Sequence, residues 1–180
     1  MIDHLVQDFD VTKANYDVVS EHPELLNIAF DNNRPTDWSH CNAIDFNAER
    51  DQIILTARHL NEIYIIDHST SISEAASHSG GNSGLGGDLL WRWGNPQVYD
   101  NGLVEDQKLF LPHNAQWVEQ GYLDEDKISI FNNGGDGSSS FSSVHLIDAQ
   151  FDNGVYESEN DLFGPADFEW GWNGSILGEV

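Results

Sequence analysis

Along the chain, short apolar runs alternate with clusters of Asn, Asp, Gly and Ser. Eight runs have the length and the β-branched or aromatic content of strands: residues 43–46, 52–57, 62–66, 89–93, 115–118, 127–131, 143–147 and 168–172. Only residues 8–30 and 71–78 could hold short helices. The pattern predicts an all-β fold built from small antiparallel sheets.

The runs repeat. His40-Cys41-Asn42-Ala43-Ile44 lies on His113-Asn114-Ala115-Gln116-Trp117, and Gln52-Ile53-Ile54-Leu55 lies on Lys127-Ile128-Ser129-Ile130. Glu62 to Asp67 then meets Ser143 to Asp148, and Asp88 to Trp93 meets Asp167 to Trp172. Four strands per unit, the last ending in Trp-x-Trp, describe a β-propeller blade. A blade needs neighbours on both faces and two blades cannot close a ring. The sequence therefore reads as a partial propeller of about two blades, with a first repeat at 36–96 and a second at 97–180. Residues 1–35 are expected to be the end of a preceding blade and its connection. The stretch from His78 to Asp88 reads as a flexible surface loop, because it lacks the Lys-Ser/Thr and the strand-then-helix context of a phosphate loop. Asn132 to Ser143 reads as a long turn.

Composition narrows the function. With 180 residues, 39% hydrophobic, the chain can bury the core of one domain, yet 31 acidic against 7 basic residues leave a formal charge of −24. That charge repels nucleic acid and anionic membranes. Cys41 is the lone cysteine, so neither an intrachain disulfide nor a thiolate metal cluster is expected. No signal peptide is visible, and no apolar run approaches the roughly 20 residues of a membrane helix. No membrane partner is expected, and a homo-oligomer is compatible with all of this.

Against this acidic background, the candidate chemistry is cationic. His40 and His113 occupy matching positions where the innermost strand of each unit starts, so both belong at one mouth of the channel. Arg58 closes the second strand of the first unit, beside the start of the first strand. The equivalent place in the second unit holds Asn133, next to Asn132. With Asn42 and Asn114, these amides are candidate substrate contacts. Such a mouth suits an oxyanion. The duller readings are strand-end histidines with structural roles and an Arg58 paired with a surface carboxylate. His22, His59, His68 and His145 have no zinc spacing and receive no role, and His4 is undecided. Asp8, Asp10 and Asp17 do not form a calcium loop. No metal and no cofactor are expected, and the four Trp of the Trp-x-Trp pairs read as blade core and rim.

At these same residues the sequence resembles a known family, the bacterial aryl-sulfate sulfotransferases. The matching stretches are DWSHCNAIDFN, ILTARHLNEIYIIDHST, HSGGNSGLGGDLLWRWGNPQ and LFLPHNAQWV, within roughly residues 37–148. The resemblance implies a six-bladed propeller, periplasmic or extracellular, that transfers a sulfuryl group from an aryl sulfate to a phenolic acceptor without a nucleotide donor. By position, His113 looks like the nucleophile that becomes a sulfohistidine, and His40 and Arg58 look like the groups holding the sulfate oxygens. The family's further histidine, in an upstream blade, has no match before Asp37. A non-catalytic propeller that binds an anionic ligand, a sugar or a protein stays open as the alternative.

Overall fold

A computed structural model of the chain describes residues 4–33, 36–138, 141–159 and 162–174. Parts of the expected units, at 1–3, 34–35, 160–161 and 175–180, lie outside the described residues, as do Ser139 and Ser140 of the second long turn. The N-terminal segment carries two short parallel strands, β1 (Leu5–Val6) and β2 (Leu26–Asn27). The first sheet follows as β3 (Cys41–Asn47), β4 (Gln52–Ala57), β5 (Glu62–Asp67) and β6 (Leu89–Trp93), each pairing antiparallel with the next.

The second sheet opens with β7 (Pro112–Trp117), β8 (Ile128–Asn132) and β9 (Ser142–Ile147). Two small hairpins intervene, β10 (Phe151–Asp152) with β11 (Val155–Tyr156) and β12 (Ser158–Glu159) with β13 (Leu162–Phe163). Strand β14 (Trp170–Gly174) then completes the order β7-β8-β9-β14. The fold is all-β with two propeller-type blades, and helical structure among the described residues is limited to 3₁₀ turns such as Val19–Glu21 and Pro96–Tyr99. Residues 71–78, which could have been helical, form turns.

Burial explains why the middle strands are apolar on both faces. Ile63 and Ile65 of β5 point into a core shared with Ile128, Ile130 and Ile147 of the second sheet, whereas Tyr64 points the other way. There it packs with Leu60, Val98 and Tyr99 under Val6, Val19 and Leu25 of the N-terminal segment. The first sheet is thus covered on both sides, which is how neighbouring blades satisfy each other's faces. Its edge strand is closed as well: the Trp91 and Trp93 indoles donate to the carbonyls of Gly164 and Pro165 at 2.8 and 2.7 Å. In the second sheet, the matching Trp170 and Trp172 are exposed.

Seven of the eight expected runs coincide with strands to within two residues at each end; the run at 115–118 starts three residues earlier, at Pro112, and that at 168–172, one of the seven, starts two later. The latter begins at Trp170 because Phe168 leaves the sheet to stack on His145, with ring centroids 3.6 Å apart. Burial lowers the pKa of His145, while hydrogen bonding to Glu24 raises that of His22. A depressed histidine contributes stability that is full above about pH 6.5 and lost as pH falls through that unfolded value toward the folded one. A raised histidine does the opposite: its contribution is full below about 6.5 and lost as pH rises through the folded value. An NMR titration of the ring carbons should find His145 titrating below and His22 above a model-peptide histidine. The reverse order would contradict both environments.

Candidate active site

The innermost strands of the two sheets, β3 and β7, lie side by side and run the same way. Asn42 Nδ2 donates to the Pro112 carbonyl at 3.0 Å, the Ala115 amide to Thr56 Oγ1 at 3.0 Å, and the Trp117 amide to Asp45 Oδ2 at 3.0 Å. His40, immediately before β3, and His113, second in β7, therefore stand at the same end of adjoining strands. Arg58 follows β4 and is fastened next to His40 by a 3.2 Å bond from its amide to the His40 carbonyl.

Around His40 the side chains form a chain of contacts. Asp37 Oδ2 makes a short hydrogen bond with His40 Nδ1, and that bond is the main cause lowering the Asp37 pKa. A carboxylate can only accept, so the His40 proton sits on Nδ1 and its Nε2 is left to the solvent side. His59, buried at 7% exposure, donates from Nδ1 to the Asp37 carbonyl at 2.7 Å and accepts at Nε2 from Arg58 Nη1 at 2.5 Å. The His40 and His59 rings are 4.5 Å apart. Possible ligand atoms of Asp37, His40 and His59 all lie within 4.8 Å of one another. The Arg58 guanidinium against His59 opposes a cation there and favours an anion.

His113 has its own orientation device. Its Nδ1 lies 2.9 Å from the Leu111 carbonyl, which can only accept, so the neutral ring carries its proton on Nδ1 and its lone pair on Nε2. Leu111 supplies that carbonyl from a left-handed conformation, φ 55°, uncommon for a bulky side chain. Asn61, in the turn between β4 and β5, holds it there by accepting the Leu111 amide at Oδ1, 2.8 Å. Strain of this kind persists only where the surroundings over-determine it, and it gathers at functional sites.

The amides divide. Asn42 bridges the two sheets at the mouth, and Asn114, exposed with φ 57°, bonds Gln116 at 3.1 Å. Asn133 is exposed and takes the Ser142 hydroxyl. Asn132 is 1% exposed, and its amide is committed to backbone: it accepts from Phe110 and donates to the carbonyls of Lys108 and Gly135. Those bonds bracket the turn after β8 and leave none of its polar atoms facing the mouth. Behind His59 and Leu111 lies a cavity of about 300 Å³ lined by further amides, including Asn61, Asn95 and Gln97. A larger one, about 400 Å³, lies between β6 and the hairpin β12–β13, lined in part by Trp93, Tyr99 and Phe163.

Asp37, His59 and Asn61 were not singled out by sequence reasoning. The signal for His59 was its place beside Arg58, and for Asp37 its place three residues before His40. A protein-family model described as Arylsulfotransferase (ASST) matches residues 3–161 of the chain. No curated protein matches it.

Proposed function

The chain belongs to the arylsulfotransferase family, and from that premise we propose that its blade mouth transfers a sulfuryl group from an aryl sulfate to a phenolic acceptor. The observation that carries this reading is the juxtaposition of His113, its Nε2 lone pair free, with the Arg58 and His40 side chains at one end of adjoining strands. The His113 Nε2 lone pair attacks sulfur, an N–S bond forms, and the S–O bond to the aryl group breaks with release of the aryloxide. The acceptor phenol oxygen then attacks the same sulfur, the N–S bond breaks, and the phenolic proton passes to water. Each displacement spreads negative charge over the sulfuryl oxygens, which the Arg58 guanidinium stabilises, joined by His40 when its Nε2 also carries a proton. Asn42, Asn114 and Asn133 are the amides left for the rest of the substrate. His59 fixes the Arg58 fork, and Asp37 fixes His40.

Location in the periplasm or outside the cell is part of the same proposal. Among the described residues, no helix is long and apolar enough to cross a membrane.

The test mixes the chain with p-nitrophenyl sulfate and phenol. Acceptor-dependent nitrophenol release, ping-pong kinetics and a sulfate adduct on His113 by mass spectrometry are expected. Release without acceptor dependence, or neither release nor adduct, would sink the reading in favour of a propeller that only binds anions. Arg58→Lys should lower kcat by about 10²–10³-fold, the scale of losing one preorganised oxyanion donor. An unchanged kcat would remove Arg58 from the mechanism.

A further inference from the structure

The Gly-rich loop of residues 78–88 brings its two ends together under the N-terminal segment. His78 Nδ1 lies 2.9 Å from both carboxylate oxygens of Asp88, and His4 Nδ1, just before β1, lies 2.8 Å from Asp88 Oδ1. Donor atoms of all three residues fall within 4.8 Å of one another. The Asp88 side chain is 5% exposed and that of His4 17%. His4 Nε2 is buried with no hydrogen-bond partner. Gly87 makes the approach feasible, since a Cβ there would stand 2.3 Å from the Ala75 carbonyl oxygen and 3.0 Å from His4 Cε1.

We propose that His4, His78 and Asp88 form a divalent-metal site, suited to Zn²⁺, that pins this loop to the N-terminal segment. Two imidazoles and one carboxylate are a donor set for zinc and its first-row neighbours. The 2.8–2.9 Å between the carboxylate and each Nδ1 needs to widen by only about half an ångström for the same atoms to stand as ligands of a tetrahedral ion at about 2.0–2.1 Å. Binding displaces the two Nδ1 protons, because an imidazole ligates through its lone pair. One dication then does for the buried Asp88 carboxylate what two N–H donors did. The site differs from the Asp37–His40–His59 set in having no guanidinium against it: among the described residues, the ion pairs of Asp88 are to these two histidines. The chain charge of −24 raises the local concentration of cations. His78 borders a cavity of about 180 Å³ shared with Tyr16, Asp17 and His22, which leaves room for water to complete the coordination shell.

The test strips the whole chain with a chelator and titrates it with Zn²⁺ against a chromophoric competitor, counting bound zinc by elemental analysis. His78→Ala is the informative variant, because the His78 side chain is 53% exposed and its loss should not unfold the chain, which circular dichroism checks. The parent should bind one equivalent, and His78→Ala should weaken binding by more than the roughly 10–100-fold that loss of an outer-shell partner costs. His40→Ala should bind zinc as the parent does. No zinc bound by the parent, equal affinity in His78→Ala, or loss that follows His40→Ala instead would each overturn the proposal. Zinc binding is read without substrate, so these outcomes are independent of the sulfuryl-transfer assay.

Discussion

Replacing His113 with alanine is expected to lower acceptor-dependent nitrophenol release on the order of 10⁶-fold, the scale seen when a covalent nucleophile is removed. That corresponds to about 8 kcal/mol of lost transition-state stabilisation at 1.36 kcal/mol per decade. On the proposed mechanism the effect should be this large because Arg58 carries no lone pair to accept sulfur and the His40 ring is tied through Nδ1 to Asp37. Stability should change little: the ring is half-buried, meets Phe131 edge-on at 6.4 Å and makes one hydrogen bond to the Leu111 carbonyl. The measurement is kcat with p-nitrophenyl sulfate and phenol for His113→Ala and for the closer isostere His113→Gln, with thermal unfolding alongside. Both variants should lose the adduct and the activity while keeping the unfolding temperature. A fall of less than about tenfold in either variant with its fold intact would exclude His113 as the nucleophile.

The repeat was legible because each strand carries its own local pattern. Gln52–Ala57 and Leu89–Trp93 were read to the residue, since strands buried on both faces write a near-continuous apolar run. The start of β7 was hidden by Asn114, whose left-handed φ of 57° puts an irregular residue inside the strand, where the pairing shifts between His113 and Gln116. The site was legible only as far as repeat position goes. Position placed His40, Arg58 and His113 at one end, but it says nothing of partners such as Asp37 for His59, which the β3–β4 pairing brings together across the hairpin. Equivalence also transferred a place and not a job to Asn132, whose amide is taken up by the turn after β8. The loop of residues 78–88 looked flexible because its composition is permissive, yet Asp67 bonds Ser83 across it and its ends meet at Asp88. Those contacts are non-local, and no local pattern announces them.

The same blindness hid the group whose loss should most destabilise the fold. Arg92 stands in an otherwise apolar strand, is 0% exposed, and donates from Nε and Nη2 to the two Glu62 oxygens at 2.9 and 2.5 Å. Its Nη1 reaches the carbonyls of Pro23 and Leu25 at 3.3 and 3.0 Å, and its guanidinium lies 4.2 Å from the Tyr99 ring centroid. Arg92→Met removes this cation and leaves the Glu62 carboxylate, among the described residues, with the Tyr64 hydroxyl at 2.8 Å. Breaking a buried pair on one side costs about 3–5 kcal/mol, a large part of the roughly 5–15 kcal/mol that holds a domain together. It also frees the two carbonyls that fasten the N-terminal segment to β6.

Desolvation already raises the Glu62 pKa against the pull of Arg92, and without Arg92 it should rise further. A carboxyl with a raised folded pKa favours the native state in acid and loses that contribution as pH climbs from about 4.3 through the folded value. The penalty of Arg92→Met should accordingly be smallest in acid and grow toward neutral pH. Urea unfolding of Arg92→Met at two pH values measures it, and a loss below about 1 kcal/mol near neutrality would count the pair as inert. Glu62→Leu combined with Arg92→Met separates the two terms. The double variant should be more stable than Arg92→Met alone, because an apolar pair leaves no charge stranded in the core, and the interaction energy from that cycle reports what the buried carboxylate costs when it stands alone.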